Sequence, residues 1–406
     1  MYKLFRTIAT TAGPVQSQCF SPSRSQVFSR SLSSLLAISH DVIQTGPWAS
    51  AAAKCIQRMR CKLRPGSSMH NSPAFNSLSA AACFSTSSNV LELNRPLTGN
   101  DMTRAGGIAS MFRIPIQKTT DGLDVCFVGI PLDIGVSNRT GTRFGPRQIR
   151  MESPMIRLCN PDTGAAPFES LQVADVGDVN INVYNLQKSC VMICEYYKTL
   201  IANGCIPLTM GGDHTLTYPV LQAIADKYGP VGLVHVDAHN DTQDTMLGEK
   251  IAHGTPFRRA VDENLINPKK TIQIGLRGPS NDVYEHQWAL EQGFRVVTGK
   301  DCWYKSLEPL MMEVREMMGD GPVYLTFDID ALDPSIAPGT GTPEIAGLNV
   351  MQALEIIRGL QGLNLVGCDL VEVSPPYDPL GTTALLAANL MFEMLCILPR
   401  VKYYEV

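Results

Sequence analysis

The sequence predicts an α/β protein: a three-layer α/β/α domain around a mostly parallel sheet. Three observations predict it. From about residue 120 onward, short β-branched runs alternate with longer helical stretches, and Gly- or Asp-rich turns separate them. Several of the short runs are apolar almost without a break, as strands covered on both faces are. No linker-like break interrupts the alternation, so residues 92–406 are expected to form one domain. Regular strand–helix alternation implies parallel strands joined by crossover helices.

The expected strands, in order, are DVCFVGIP (124–131), LQVADVGD (171–178), CIPLTMGG (205–212), VGLVHVDA (231–238), TIQIGLRG (271–278), FRVVTG (294–299), PVYLTFDID (322–330) and LNLVGCDLVEV (363–373). Between them lie helical stretches: NLQKSCVMICEYYKTLIANG (185–204), TYPVLQAIADKYG (217–229), LEPLMMEVREMMGD (307–320) and NVMQALEIIRGLQG (349–362). The last two close on Gly or Gly–Asp, as helix C-termini do. TALLAANLMFEMLCIL (383–398) is the longest apolar stretch, but Asn389 and Glu393 interrupt it and Pro399 stops it. It reads as a buried terminal helix, since a membrane span needs about 18 uninterrupted apolar residues.

Charge divides the chain. Residues 1–91 hold nine Lys or Arg against one acid, Asp41, and are rich in Ser and Ala. That is the composition of a mitochondrial transit peptide, with a matrix location to match. The totals of 34 basic and 38 acidic residues leave 25 against 37 for the remainder, about −12, which argues against nucleic acid as a partner. Of twelve Cys, four (Cys19, Cys55, Cys61, Cys83) lie in the first segment and the rest are scattered without a CxxC pair. Reduced, buried thiols fit best.

In an open parallel sheet, ligands bind outside the carboxyl ends of the strands. Three polar clusters stand there: TMGGDH with Asp213 and His214, HVDAHND with Asp237, His239 and Asp241, and TFDIDALDP with Asp328 and Asp330. Side chains two apart on a strand share a face, so D-x-H-x-D and D-x-D should each aim into one crevice. Four Asp and two His without a thiolate form a hard, oxygen-rich set, suited to Mn²⁺ more than to Zn²⁺ or copper. Six ligands are too many for one tetrahedral ion and suit two ions bridged by carboxylates. His235 matches their parity but lies deeper in its strand and reads as a satisfied core histidine. Asp213 reads as a group that orients the GGDH turn.

GGDH, DAHND, HGTPFRR, FDIDALDPSIAPGTGTPE and VEVSPPYD resemble the signatures of the ureohydrolase family of arginases and agmatinases, and SNRTGTRFGPRQIR resembles its agmatinase branch. The resemblance implies two Mn²⁺ ions per subunit. His214, Asp237, Asp241 and Asp328 would hold one and Asp237, His239, Asp328 and Asp330 the other. It implies hydrolysis of a small linear guanidino substrate to urea and an amine, with agmatine, giving putrescine, as the first expectation. It implies a homo-oligomer, trimer or hexamer. Glu372, in VEVSPP, matches the carboxylate that pairs with the guanidinium, and His253, in HGTP, the histidine that relays protons.

The substrate tail is read from fewer residues. Gln243 stands where arginases place an Asn that holds the amino-acid carboxylate, which disfavours arginine. Asn138, Arg139 and Arg143 stand near the expected mouth. If Arg139 faces the pocket it favours a guanidino acid such as 4-guanidinobutanoate over agmatine; alternatively both arginines pair with local carboxylates. Asn240 replaces the Thr usual between the family's His and Asp, and its side chain should point away from the ligand face. Two other readings stand beside these: an inactive paralogue serving as a binding or regulatory protein, and a single-zinc amidohydrolase on a related fold.

Overall fold

The computed structural model describes residues 92–406; the expected presequence, 1–91, lies outside the described residues. Eight strands form the central sheet: β1 (Val125–Gly129), β2 (Val173–Asp178), β3 (Ile206–Met210), β4 (Val231–Val236), β5 (Ile266–Leu276), β6 (Arg295–Thr298), β7 (Pro322–Asp328) and β8 (Asn364–Val371). Their order across the sheet is β2-β1-β3-β8-β7-β4-β5-β6. Every neighbouring pair is parallel. All eight expected strands are present. β5 starts five residues early, at Ile266, and the strand before Asp330 stops at Asp328.

The helices are α1 (Gly145–Glu152), α2 (Leu186–Ile201), α3 (Thr217–Tyr228), α4 (Pro256–Asp262), α5 (Gln287–Gln292), α6 (Gly299–Cys302), α7 (Glu308–Met318), α8 (Val350–Gly359) and α9 (Thr382–Cys396). Local chemistry sets their ends. The Asn185 side chain accepts the Lys188 N–H at the start of α2, and Asn349 and Gln352 form a reciprocal cap on α8. α3 and α7 stop at Gly229 and Gly319, both at positive φ.

Strand alternation sorts the core into two layers. Val125, Phe127, Val234 and Val236 face one side with Met311 and Val314 of α7, Ile356 and Ile357 of α8, and Leu390 of α9. Cys126, Val128, Val231 and Leu233 face the other with Ile193 and Tyr197 of α2, Leu221 and Ile224 of α3, and Phe257 of α4. The sheet is thus covered on both faces, which explains its unbroken apolar runs. α9 is the expected buried helix; its Glu393 is satisfied by Arg358 at 2.8 Å and Asn160 at 2.9 Å. No helix among the described residues is long and apolar enough to cross a membrane. β3, β8, β7 and β4 are consecutive in the sheet. The carboxyl ends of these four central strands carry the site.

Candidate metal centre and active site

Beyond β3 the chain runs through Gly211 and Gly212. A Cβ on Gly212 would overlap the Leu132 carbonyl oxygen, so only glycine allows the turn to pass. Asp213 is fully buried and anchors that turn: Oδ1 accepts the Thr215 N–H at 3.0 Å and Oδ2 the Gly135 N–H at 3.0 Å. This is the orienting role read from the sequence. His214 follows, 1% exposed, at the start of a short 3₁₀ turn leading into α3.

His214 Nδ1 faces three carboxylate oxygens: Asp237 Oδ2 at 3.1 Å, Asp241 Oδ2 at 3.1 Å and Asp328 Oδ2 at 3.3 Å. His239 Nδ1 faces Asp237 Oδ1 at 3.4 Å and Asp330 Oδ2 at 3.2 Å. The six residues expected as ligands therefore stand together, in two groups that share Asp237. They do not reach this place by strand alternation. β4 ends at Val236, and Asp241 sits at φ 50 in the loop beyond it. Asp328 ends β7 and caps the turn that carries Asp330, its Oδ1 accepting the Asp330 N–H at 2.9 Å. Turn geometry makes the ligands converge where the alternation argument had assumed a continuing strand.

Four buried or nearly buried carboxylates face two imidazoles here, and among the described residues no Lys or Arg pairs with any of the four. Burial, then Asp330 and Asp237, push the Asp328 carboxyl well above the usual carboxylate range. Burial opposes a charge on His214 and His239, yet the facing carboxylates hold both well above the usual imidazole range. His214 Nδ1 is buried and has no hydrogen-bond partner among the three oxygens around it. A set short of positive charge, converging on an unpartnered imidazole nitrogen, fits divalent cations.

Glu372 lies just past β8, at φ 64. Its N–H donates to the Gly212 carbonyl at 2.8 Å, and its Oε1 accepts the His214 N–H at 2.9 Å and faces His253 Nδ1 at 3.3 Å. Its Oε2 is buried and unpartnered. Burial pushes the Glu372 carboxyl up, with His253 acting the other way. Burial would lower His253, but the bond and charge of Glu372, together with the charges of Asp241 and Asp213, outweigh this and push it up to about 9. His253 also bonds Ser137, with Nε2 at 2.7 Å from Oγ and 3.1 Å from the backbone nitrogen. That N–H favours an unprotonated Nε2, whereas the hydroxyl can donate to a neutral ring or accept from a charged one.

The substrate candidates are dispersed. Asn138 donates to the Gly341 carbonyl at 3.0 Å. Arg143 pairs with Asp133, as the local-carboxylate alternative held. Among the described residues Arg139 pairs with no carboxylate; it lies over the Tyr377 ring, 4.8 Å from the centroid. Gln243 is exposed and lines a separate cavity of 790 Å³ with Asp244, Asp282 and Glu285. Asn240 points away from the ligands, toward Glu285 at 3.3 Å.

The Arginase family profile matches residues 123–396. The chain belongs to the arginase family. It is 64% identical over 309 residues, 76% of this chain and 91% of the relative, to "Agmatinase, mitochondrial" of Gallus gallus. It is 59% identical over 341 residues, 84% of this chain and 97% of the relative, to "Guanidino acid hydrolase, mitochondrial" of Homo sapiens. Among solved structures, proclavaminate amidino hydrolase from Streptomyces clavuligerus superposes with a TM-score of 0.71 at 38% identity, covering 73% of this chain and 99% of that one. The protein is therefore an arginase-family hydrolase with the arginase fold. The mitochondrial names belong to those relatives.

Three supporting residues escaped the sequence reading. Thr326 Oγ1 lies 2.8 Å from His214 Nε2. Asp369, fully buried, accepts from Thr217 and Tyr324 at 2.9 Å each and so ties β7 and β8 to the start of α3. Gln273 bonds His235. Their strands show only apolar runs with a stray polar residue, and what each one touches is on another strand.

Proposed function

We propose that this chain is a two-metal hydrolase that cleaves the guanidino group of a small linear guanidino compound to urea and an amine. One observation carries it: two ligand groups share Asp237 beside a buried glutamate oxygen with no partner. His214, Asp237, Asp241 and Asp328 would hold one cation, and Asp237, His239, Asp328 and Asp330 the other, with Mn²⁺ suited to this oxygen-rich set. Bound there, the pair would neutralise the acid cluster and activate water against the guanidinium carbon.

The remaining steps fall to the chain. A guanidinium carbon is a poor electrophile because its charge is spread over three nitrogens, so it must be held still. Glu372 Oε2 supplies a charge-assisted acceptor for a guanidinium N–H. His253, joined to Glu372 on one side and Ser137 on the other, can carry a proton to the departing amine. Packing by Tyr377 holds Arg139 at the rim.

Resemblance of the SNRTGTR stretch puts agmatine first among substrates. A guanidino acid is the second reading, supported by Arg139, which has no carboxylate partner among the described residues, and by relatives named for guanidino acids. The test is urea release from agmatine, arginine and 4-guanidinobutanoate with Mn²⁺ added, together with a metal count per chain. Turnover of one guanidino compound with two metals is expected, and Asp237→Asn should abolish both. No urea from any substrate would leave the inactive-paralogue reading, and one zinc per chain the single-zinc reading. Arg139→Ala should alter the ranking of agmatine against guanidino acids while sparing metal binding. Matrix location, proposed from residues 1–91, is tested by fusing them to a fluorescent reporter. A trimer or hexamer is proposed from the family and read by light scattering.

A further inference from the structure

His235 takes no part in the chemistry above, yet it lies directly behind it. The ring is fully buried, 4.2 Å from the Phe257 ring centroid and 5.3 Å from that of His214. Its Nε2 is 2.7 Å from Asp237 Oδ2, and its Nδ1 is 2.9 Å from Gln273 Nε2. A third contact determines the tautomer. The same Gln273 nitrogen is 2.7 Å from the Asn240 backbone carbonyl, which can only accept. The atom there is therefore the amide nitrogen, and its second hydrogen meets a lone pair on His235 Nδ1. The neutral ring then carries its proton on Nε2 and donates it to Asp237.

We propose that His235, held in this tautomer by Gln273, is a positioning residue for Asp237. The proposal rests on the two-metal reading. Asp237 has two lone pairs on each oxygen. His235 occupies one on Oδ2, and the His239 N–H, at 2.7 Å, occupies one on Oδ1. One lone pair then remains on each oxygen: Oδ2 faces the His214 group and Oδ1 the His239 group. The hydrogen bond thus presents one acceptor to each side and stops the carboxylate from turning both toward one. The rival is that His235 is itself a ligand, since its ring nitrogen, His214 and Asp237 stand close enough to share an ion. Against that, Nε2 carries the proton, and the free lone pair on Nδ1 is taken by Gln273.

Three variants test this in the Mn²⁺-loaded, full-length protein. His235→Phe keeps the packing on Phe257 and removes the donor; His235→Gln restores an N–H near the position of Nε2; Gln273→Met releases the tautomer without touching the cluster. The readouts are Mn²⁺ affinity, from the electron paramagnetic resonance of free Mn²⁺, and the visible absorption of the Co²⁺-substituted protein. His235→Phe and Gln273→Met should weaken metal binding about ten- to a hundredfold, the usual cost of losing a partner behind a ligand. His235→Gln should recover most of that loss with a near-native Co²⁺ spectrum. Wild-type affinity and spectrum in His235→Phe or Gln273→Met would overturn the proposal, and in both would leave His235 as core filling. Loss of one ion outright in His235→Gln, while Gln273→Met binds normally, would make His235 a ligand. If His235→Phe does not fold, Gln273→Met and His235→Gln decide alone. Wild-type protein that binds fewer than two ions would instead overturn the two-metal reading beneath it.

Discussion

Glu372 is where the burial of one atom matters most. Its Oε1 is engaged by His214 and His253, while Oε2 is buried without a partner. A buried acceptor left unpaired in the free protein costs stability, and a substrate guanidinium would relieve that cost on binding. Glu372→Gln keeps the shape and removes the charge. A charge-assisted bond is worth about 1.5–3 kcal/mol, so kcat/KM should fall by roughly ten- to several-hundredfold for every guanidino substrate, with metal content unchanged. Metal loss in that variant would move Glu372 into the ligand set. Full activity would put the guanidinium elsewhere; Asp244, on the separate cavity, is already held by Arg259 at 2.7 Å. The same substitution reports on His253. Glu372, with Asp241 and Asp213 behind it, raises that imidazole to about 9 against the effect of burial, so the wild-type midpoint should lie well above the ordinary value. With the carboxylate gone, burial is opposed only by the more distant Asp241 and Asp213, and the midpoint should fall from about 9, which histidine NMR can follow. An unmoved midpoint would uncouple the two residues.

At the scale of single elements, the glycine turn after β3 is the most constrained. Gly212 passes the Leu132 backbone where a Cβ would overlap it, and its carbonyl accepts the Glu372 N–H. Backbone cannot swing aside as a flexible side chain can. Gly212→Ala should cost at least about 1–3 kcal/mol, seen as a lower denaturation midpoint, and should weaken metal binding because His214 is two residues on. A variant with native stability and metal content would mean the turn has room that the structure denies. Such turns also mark how much a reader of the sequence could see. The β-branched runs and the acids at their ends were legible, because burial on both faces and polar strand ends leave a pattern in one stretch of chain. Asp330 lies on a turn where alternation had kept it on a strand, since nothing in DID says where the ladder stops. Gln273 supports His235 from the neighbouring strand, and Thr326 and Asp369 sit on adjacent strands that the sequence alone does not pair. Arg139 was equally open: one arginine of its loop found a carboxylate and the other an aromatic ring.

Over the whole molecule, the cluster of acids makes stability depend on what neutralises it. A ligand that binds only the folded state adds about 4.1 kcal/mol when present at a thousand times its dissociation constant. Chelation should therefore lower the Tm by several degrees, and Mn²⁺ should restore it; an unchanged Tm in metal-depleted protein would show that the carboxylates balance themselves. The order of the sheet has a consequence of another kind. β8, the last strand of the central sheet to be made, lies between β3 and β7 and is hydrogen-bonded to both. Until it arrives, the sheet is two separate fragments, β2-β1-β3 and β7-β4-β5-β6, each ending in a bare interior edge. The chain cannot close its centre while it is being synthesised or threaded N-terminus first through a pore. The two open edges are then a hazard that something else must cover until residue 364 and the strand it begins come through.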